Sequence, residues 1–163
     1  MRILTVRQPW AWAIIHAGKN VENRTRNLAG DYRGPVAIHA GRVAVDGEDN
    51  LWNAPLFFDA LRAAPSESRK AMSVRGAIIG VVDLVDVHHA AECVYVGPVV
   101  EDFDGNFISQ DVTHCSAWAE DANVYHLELA DPRALATPLA YRGGLGLRRL
   151  DVGTEQLVTE GLA

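Results

Sequence analysis

Changes in the spacing of hydrophobic and polar positions divide the first part of the chain into three elements. Residues 2–7 (RILTVR) alternate between polar and apolar positions, which predicts a short strand. Residues 10–17 are apolar on almost every side, which predicts a buried helix with Pro9 in its first turn and Gly18 ending it. Residues 19–26 then predict a second strand.

Hydrophobic segments in the rest of the chain are short and rich in β-branched residues. The run at 76–87 (GAIIGVVDLVDV) predicts the strongest strand, and Gly80 inside it predicts a bulge or a sharp bend. A helix is predicted at 53–64, with Asn53 as its N-cap and Pro55 in its first turn. Further strands are predicted at 35–40, at 124–130 and at the end of 139–150.

Elements in this order predict an α+β protein with about five or six strands and two or three helices. Because strands and helices do not alternate regularly, a small mixed or antiparallel β-barrel fits better than a doubly wound parallel sheet. We predict a single domain at 1–152, with a loop at 97–110, and a C-terminal tail of unclear order at 153–163. The length of 163 residues is near the common single-domain size.

Composition narrows the class of protein. Hydrophobic residues make up 48% and charged residues 22% of the chain, which is typical of a globular protein with a core. The chain has no run of about 18 apolar residues and no signal-like N-terminus, so we expect no membrane span and a cytoplasmic location. In a reducing compartment, Cys93 and Cys115 are expected to be free thiols.

Charge is distributed unevenly along the chain. The net charge is −6, yet residues 1–42 hold seven basic and two acidic side chains, a balance of +5. The remaining residues hold eight basic and nineteen acidic side chains, a balance of −11. The net charge argues against nonspecific coating of nucleic acid, whereas a basic patch on an acidic body favours a localised anionic ligand such as a phosphate or a short strand.

A polar cluster follows the predicted buried helix. It contains Lys19, Asn20, Glu22, Asn23, Arg24 and Arg26. In a strand, Glu22, Arg24 and Arg26 share one face, and a carboxylate between two arginines would orient their guanidinium groups toward a phosphate. The alternative is a solvated strand face without a ligand, since exposed ion pairs are common and contribute little.

The strand-to-helix turn places Gln8 and Trp10 beside this polar cluster. Tryptophan side chains such as Trp10 can stack on a base, and glutamine side chains such as Gln8 can hydrogen-bond to a base edge. The alternative is that Trp10 packs in the core. We interpret Trp12, which lies inside the apolar helix, as a core residue of this kind.

Histidines and cysteines gather between residues 88 and 115. They are His88, His89, Cys93, His114 and Cys115. Their spacing matches no tight zinc pattern such as paired CxxC knuckles, so the sequence predicts loop residues and buried thiols, with no metal and no cofactor.

Four segments resemble a known family, in the family's order and over nearly the whole chain. They are LTVRQPWAWAIIHAGKNVENR (4–24), RGPVAIHAG (33–41), GAIIGVVDLVDV (76–87) and YHLELADPRALATPLAYRGGLGLRRL (125–150). The chain resembles an ASCH domain, a branch of the PUA-like β-barrel superfamily. The resemblance implies a pseudo-barrel with a cleft between barrel and helices. The ligands it implies are RNA, DNA or modified nucleosides.

The family contains members with different activities, and the characteristic residues of each correspond to different residues of this chain. Small bacterial members resemble amidohydrolases that remove the acyl group from N4-acetylcytidine, and Lys19 matches their lysine. Glu22 stands where they have threonine, and it resembles the coactivator-type branch, which has the same VE-x-R pattern. Their strand carboxylate corresponds to Asp83, with Asp86 as the other option. Other members have been described as ribonucleases.

The leading hypothesis is a nucleic-acid or nucleotide-binding module for RNA or single-stranded DNA. Its candidate binding residues are Arg7, Gln8, Trp10, Asn23, Arg24, Arg26 and His39. The alternative is a metal-independent amidohydrolase acting on a modified nucleoside, with Lys19, Glu22 and Asp83 as catalytic residues. A third hypothesis is a ribonuclease, for which His39 on its strand would have to face the cleft.

Overall fold

The computed structural model describes residues 1–44, 54–93 and 95–162. The strands are β1 (Arg2–Gln8), β2 (Val21–Arg24), β3 (Gly34–Ala44), β4 (Ala77–His89), β5 (Tyr95–Glu101), β6 (Phe107–Thr113), β7 (Tyr125–Ala140) and β8 (Leu147–Arg149). The helices are α1 (Trp10–His16), α2 (Ala54–Ala63), α3 (Ser66–Arg69), α4 (Ala90–Cys93) and α5 (Val152–Glu160), with a 3-10 turn at Lys70–Ser73.

Six strands form the main sheet, in the order β2-β7-β4-β3-β1-β8. Among the described residues, β1 and β3 are the one parallel pair of neighbours in this sheet, and the other neighbours are antiparallel. The separate hairpin β5–β6 is antiparallel too. The α+β class is therefore confirmed. Within the described residues, the hydrogen-bonded order starts at β2 and ends at β8 without closing, so barrel closure stays a prediction.

Helix α1 is buried, as its all-round apolar sequence predicts. Trp12 and Ala13 are 0% exposed and pack with Phe57 and Ala64 of the α2 region. On its other side, Ile14 joins the core formed by the inner faces of the strands. The helix begins one residue after Pro9 and is followed by Gly18, whose φ of +71° lets the chain turn into β2.

Gly80 sits at a bulge, which confirms that prediction. The pairing of β4 with β7 shifts register between Ile78 and Gly80. A Cβ at Gly80 would lie 2.6 Å from the Arg133 carbonyl oxygen and 2.7 Å from Ile15 Cδ1. The missing side chain therefore lets α1 and β7 approach β4 closely.

Three predictions about local structure need correction. The loop predicted at 97–110 is wrong, because β5 and β6 form a hairpin whose turn is closed by Asp102, which accepts from the Asp104 and Asn106 amides. The strand predicted at 19–26 spans only Val21–Arg24. The described residues form five helices rather than two or three, two of them single turns. The N-cap predicted at Asn53 lies outside the described residues.

The segment expected to be a tail of unclear order contains α5. Asp151 caps this helix by accepting from the Thr154 amide at 2.9 Å. Val158 is 0% exposed and packs in a second apolar cluster with Ile3 and Leu135. Sequence pattern missed the helix because its amphipathic signal is weak: Val158 is its one buried residue, and the apolar Val152 and Leu157 are exposed.

Candidate functional site

A cavity of about 520 Å³ opens between β1, the start of α1 and β2. We call it the β1–β2 cavity; its lining residues are Leu4, Thr5, Val6, Arg7, Trp10, Glu22, Arg24, Gly144, Leu145 and Gly146. Its lining residues belong to the basic first third of the sequence, except for Gly144, Leu145 and Gly146, which lie in the glycine-rich turn before β8. Its volume lies in the range of small-molecule sites.

A chain of three paired charges, of which Lys19 and Glu22 are buried, reaches one wall of the cavity. Lys19 Nζ lies 3.1 Å from Glu22 Oε2 and also donates to the Val21 carbonyl. Glu22 Oε1 lies 2.9 Å from Arg24 Nη2. The side chains of Lys19 and Glu22 are only 3% and 10% exposed. Because a buried charge is stable only when it is paired, each member fixes the position of the next.

Arg24 and Trp10 present unsatisfied donors beside the cavity. Arg24 Nη2 donates to the Thr5 carbonyl at 2.8 Å, which holds the guanidinium against β1. Within the described residues, Arg24 Nε and Trp10 Nε1 are buried and have no hydrogen-bond partner. A buried N–H without an acceptor costs about 1–3 kcal/mol, and because both atoms are buried they do not face the open cavity.

Trp10 is both a packing residue and a cavity wall. Its ring meets Phe57 and Trp118 edge-on, with centroid distances of 5.5 and 6.3 Å. Lys19 Nζ lies 6.0 Å from the centre of the same ring. The two interpretations of Trp10 from the sequence are therefore compatible, because the ring is anchored by its edges while it lines the cavity.

Asn23 clamps a segment that the sequence did not single out. Its amide donates to the Trp118 carbonyl at 3.0 Å and accepts from the Glu120 amide at 3.2 Å. Burial raises the pKa of Glu120, and the nearby Lys19 partly opposes this. Trp118 and Glu120 thus join the site through β2. No periodic pattern marks them in the sequence, so only the long-range contacts with Asn23 and Trp10 locate them.

Three predicted binding residues lie in different surroundings. Gln8 is 1% exposed, and its amide donates to the carbonyls of Ala71 and Val74 while accepting from the Trp12 amide. Both of its donors are used inside the protein, so Gln8 anchors α1. Arg7 is exposed and lines the cavity. Arg26 is exposed beyond the end of β2.

The strand carboxylates lie apart from the buried charges. Asp83 Oδ1 pairs with Arg133 Nη2 at 2.8 Å, and Asp86 bonds to Arg33 and His88. The carboxylate that pairs with Lys19 is that of Glu22 instead. The acids that the structure brings near Lys19 are Glu22 and Glu120.

His39 belongs to a neighbouring cavity of about 260 Å³ that shares Thr5 with the first. Its Nε2 lies 3.0 Å from the Tyr141 carbonyl, and burial lowers its pKa. The glycine turn packs on this ring, since a Cβ at Gly143 would lie 2.3 Å from His39 Cε1.

No model of a known protein family matches the chain, and no curated protein matches it. None of the helices in the described part of the chain is long and apolar enough to cross a membrane.

Proposed function

We propose that the chain is an ASCH-type, PUA-like domain that binds a nucleotide or a short single strand of RNA or DNA in the β1–β2 cavity. The observation that supports this most is the lining of that cavity, which brings the Arg24 guanidinium and the Trp10 ring together. A phosphate oxygen accepts hydrogen bonds from a guanidinium, and a base stacks on an indole ring. In this proposal the open sheet curves as a PUA-like pseudo-barrel and the cavity is the cleft beside it.

The charges around the cavity suit a polyanion. Arg24 is held rigidly by Glu22 and by the Thr5 carbonyl, so little side-chain entropy is lost when it binds a ligand. Exposed Arg7 adds a second positive charge on the lining. Trp10 offers an aromatic surface of the type used to stack bases. A volume of about 520 Å³ accommodates one nucleotide unit, with the strand continuing across the surface.

Arg24→Ala is expected to weaken binding of a short labelled single strand by about 10–100-fold, because charge-assisted hydrogen bonds contribute about 1.5–3 kcal/mol each. Fluorescence anisotropy over a salt series measures this. Trp10→Phe, which replaces the indole with a smaller ring, should weaken binding by reducing the stacking surface at the cavity. The matched control is Arg62→Ala, which removes an exposed guanidinium on α2.

Binding that does not change with salt, or equal weakening by Arg62→Ala and Arg24→Ala, would contradict the proposal, because phosphate contacts release counterions. Parallel titrations with RNA and DNA of the same sequence identify the preferred strand.

A second candidate is favoured by the buried Lys19–Glu22 pair with Glu120 close by. In this proposal the chain hydrolyses the N-acyl amide of N4-acetylcytidine. A carboxylate removes a proton from water, the water oxygen bonds to the acyl carbon, and the bond to N4 breaks as N4 receives a proton. The products are acetate and cytidine. In this proposal Glu22 is that carboxylate, and Lys19, whose Nζ lies 3.1 Å from Glu22 Oε2, gives the proton to N4.

Lys19→Met is expected to lower this turnover by about 100-fold or more, within the range that one proton-transfer group supplies. Chromatography follows the conversion of N4-acetylcytidine to cytidine. Lys70→Met, which removes an exposed lysine that has a similar ion pair, is the control. No turnover by the wild-type chain would remove this candidate and leave the binding proposal standing.

A further inference from the structure

Four metal-ligating side chains meet where the β5–β6 hairpin leaves the main sheet. His88 is on β4, Cys93 ends α4, Cys115 follows β6 and His126 begins β7. One ligand atom from each of the four lies within 4.8 Å of all the others. His126 Nδ1 is 3.2 Å from Cys93 Sγ and 3.4 Å from Cys115 Sγ. Tetrahedral zinc, with Zn–S of about 2.3 Å and Zn–N of about 2.0 Å, needs similar separations between its ligands.

One ring nitrogen of His88 and one of His126 are hydrogen-bonded to other residues, which leaves the second nitrogen of each ring available to bind a metal. His126 Nε2 lies 3.0 Å from the Glu120 carbonyl, which only accepts, so Nε2 carries the hydrogen and Nδ1 has the lone pair. His88 Nδ1 lies 3.0 Å from Asp86 Oδ2 and therefore donates to it. Its Nε2 is buried and has no partner among the described residues. Metal-binding histidines have this arrangement, with the second nitrogen donating to a carboxylate or a carbonyl.

We propose that His88, Cys93, Cys115 and His126 bind one zinc ion as a structural Cys2His2 site, with both thiols releasing their protons on binding. Two sulfur and two nitrogen ligands select zinc over the harder magnesium or calcium ions. Asp86 acts as the outer partner that orients His88, rather than as a ligand. Exposed Cys115 leaves a route for the ion from solvent.

A zinc ion here would close the base of the hairpin. Cys93 lies just before β5 and Cys115 just after β6, so one ion would join both ends of the hairpin to β4 and β7. The same ion would fix the ring of His126, whose Nε2 donates a hydrogen bond to the Glu120 carbonyl. The segment with Trp118 and Glu120 at the β1–β2 cavity would thereby be held from its far side, whatever ligand the cavity takes.

The sequence spacing concealed this group. His126, which lies eleven residues beyond Cys115, completes it in place of His89 and His114. His89 instead bonds to Asn123 through Nε2. His114 Nδ1 reaches only to 3.9 Å from Cys93 Sγ and is not one of the four. The sequence predicted loop residues and buried thiols without a metal. That prediction was wrong in two respects, because His88 lies on β4 and Cys115 is exposed, and the proposal replaces the rest.

The test is titration of the reduced, metal-free full-length chain with Co²⁺, followed by displacement with Zn²⁺. We expect one Co²⁺ per chain, with the visible spectrum of tetrahedral Co²⁺ and a sulfur-to-metal charge-transfer band, both lost on addition of one equivalent of Zn²⁺. Cys115→Ser should weaken binding beyond the roughly 10–100-fold caused by losing an outer partner. Because Cys115 is exposed, this variant tests the ligand without disturbing the core.

His114→Ala is the matched control, since it removes the neighbouring imidazole that we exclude from the ligand set, and it should keep the Co²⁺ spectrum and affinity. The proposal is overturned if the reduced wild-type chain binds no Co²⁺ at one equivalent or shows no sulfur charge-transfer band. It is also overturned if His114→Ala weakens binding as much as Cys115→Ser does.

Discussion

Glu22→Ala is expected to lower the free energy of unfolding by about 3–5 kcal/mol, because it leaves the Lys19 ammonium buried without its carboxylate. Lys19 has 3% side-chain exposure, so solvent cannot replace the lost partner. Urea denaturation measures the change as a lower midpoint at an unchanged slope. The control is Glu67→Ala, which breaks a Lys–Glu pair of nearly equal length, 3.0 against 3.1 Å, whose side chains are about four-fifths exposed. That change should cost about 0–1 kcal/mol.

A double variant separates the cost of an unpaired charge from the value of the pair. In Lys19→Met/Glu22→Leu both buried charges become apolar, and Arg24 keeps its bond to the Thr5 carbonyl and its contact with solvent. We therefore expect most of the stability to return while binding or turnover does not. A Glu22→Ala cost below about 1 kcal/mol would mean that water reaches Lys19, which contradicts the buried ion pair.

This ion pair connects the fold to the candidate site. A Lys–Glu pair inside an apolar environment is often no more stabilising than two apolar side chains. In this protein, Glu22 fixes the Arg24 guanidinium at the cavity wall and the Lys19 ammonium beside Trp10. The ion pair therefore fixes the position of a cationic group at the cavity wall.

Local signals were sufficient where neighbours along the chain decide the structure. The all-round apolar run predicts buried α1, and the β-branched run with Gly80 predicts β4 and its bulge. The close sequence spacing of Lys19, Glu22 and Arg24 also keeps them together in space. In each case the contacts that matter lie within a few residues or follow from one hydrophobic period.

Long-range pairing supplied what the sequence did not. Asp83 faces Arg133 only because β4 pairs with β7, which no local pattern reveals. The acids and glycines of 97–110 obscured a hairpin whose strands pair with each other rather than with the core. Trp118 reaches Trp10 across more than a hundred residues of chain. Such contacts depend on topology, and spacing alone does not encode them.

Trp12→Ala is expected to lower the free energy of unfolding by about 3–5 kcal/mol, because it empties the space between α1 and α2. Trp12 is 0% exposed, and its Nε1 donates to the Ser68 carbonyl at 2.8 Å, so the variant also leaves that acceptor unpaired. For a chain of this size the loss corresponds to a melting temperature lower by about 6–20 °C in calorimetry.

The conservative variants of two neighbouring tryptophans then separate stability from binding. Trp12→Phe shrinks a fully buried ring and removes a satisfied N–H, so it should cost about 1–3 kcal/mol of stability with unchanged ligand affinity. Trp10→Phe shrinks a ring that lines the cavity and should weaken binding, at a smaller cost in stability because Trp10 is only partly buried. If both variants lower stability equally and leave binding unchanged, Trp10 is a core residue only. Both residues lie on α1, but Trp12 is fully buried whereas Trp10 lines the cavity, so the two variants separate a core role from a binding role.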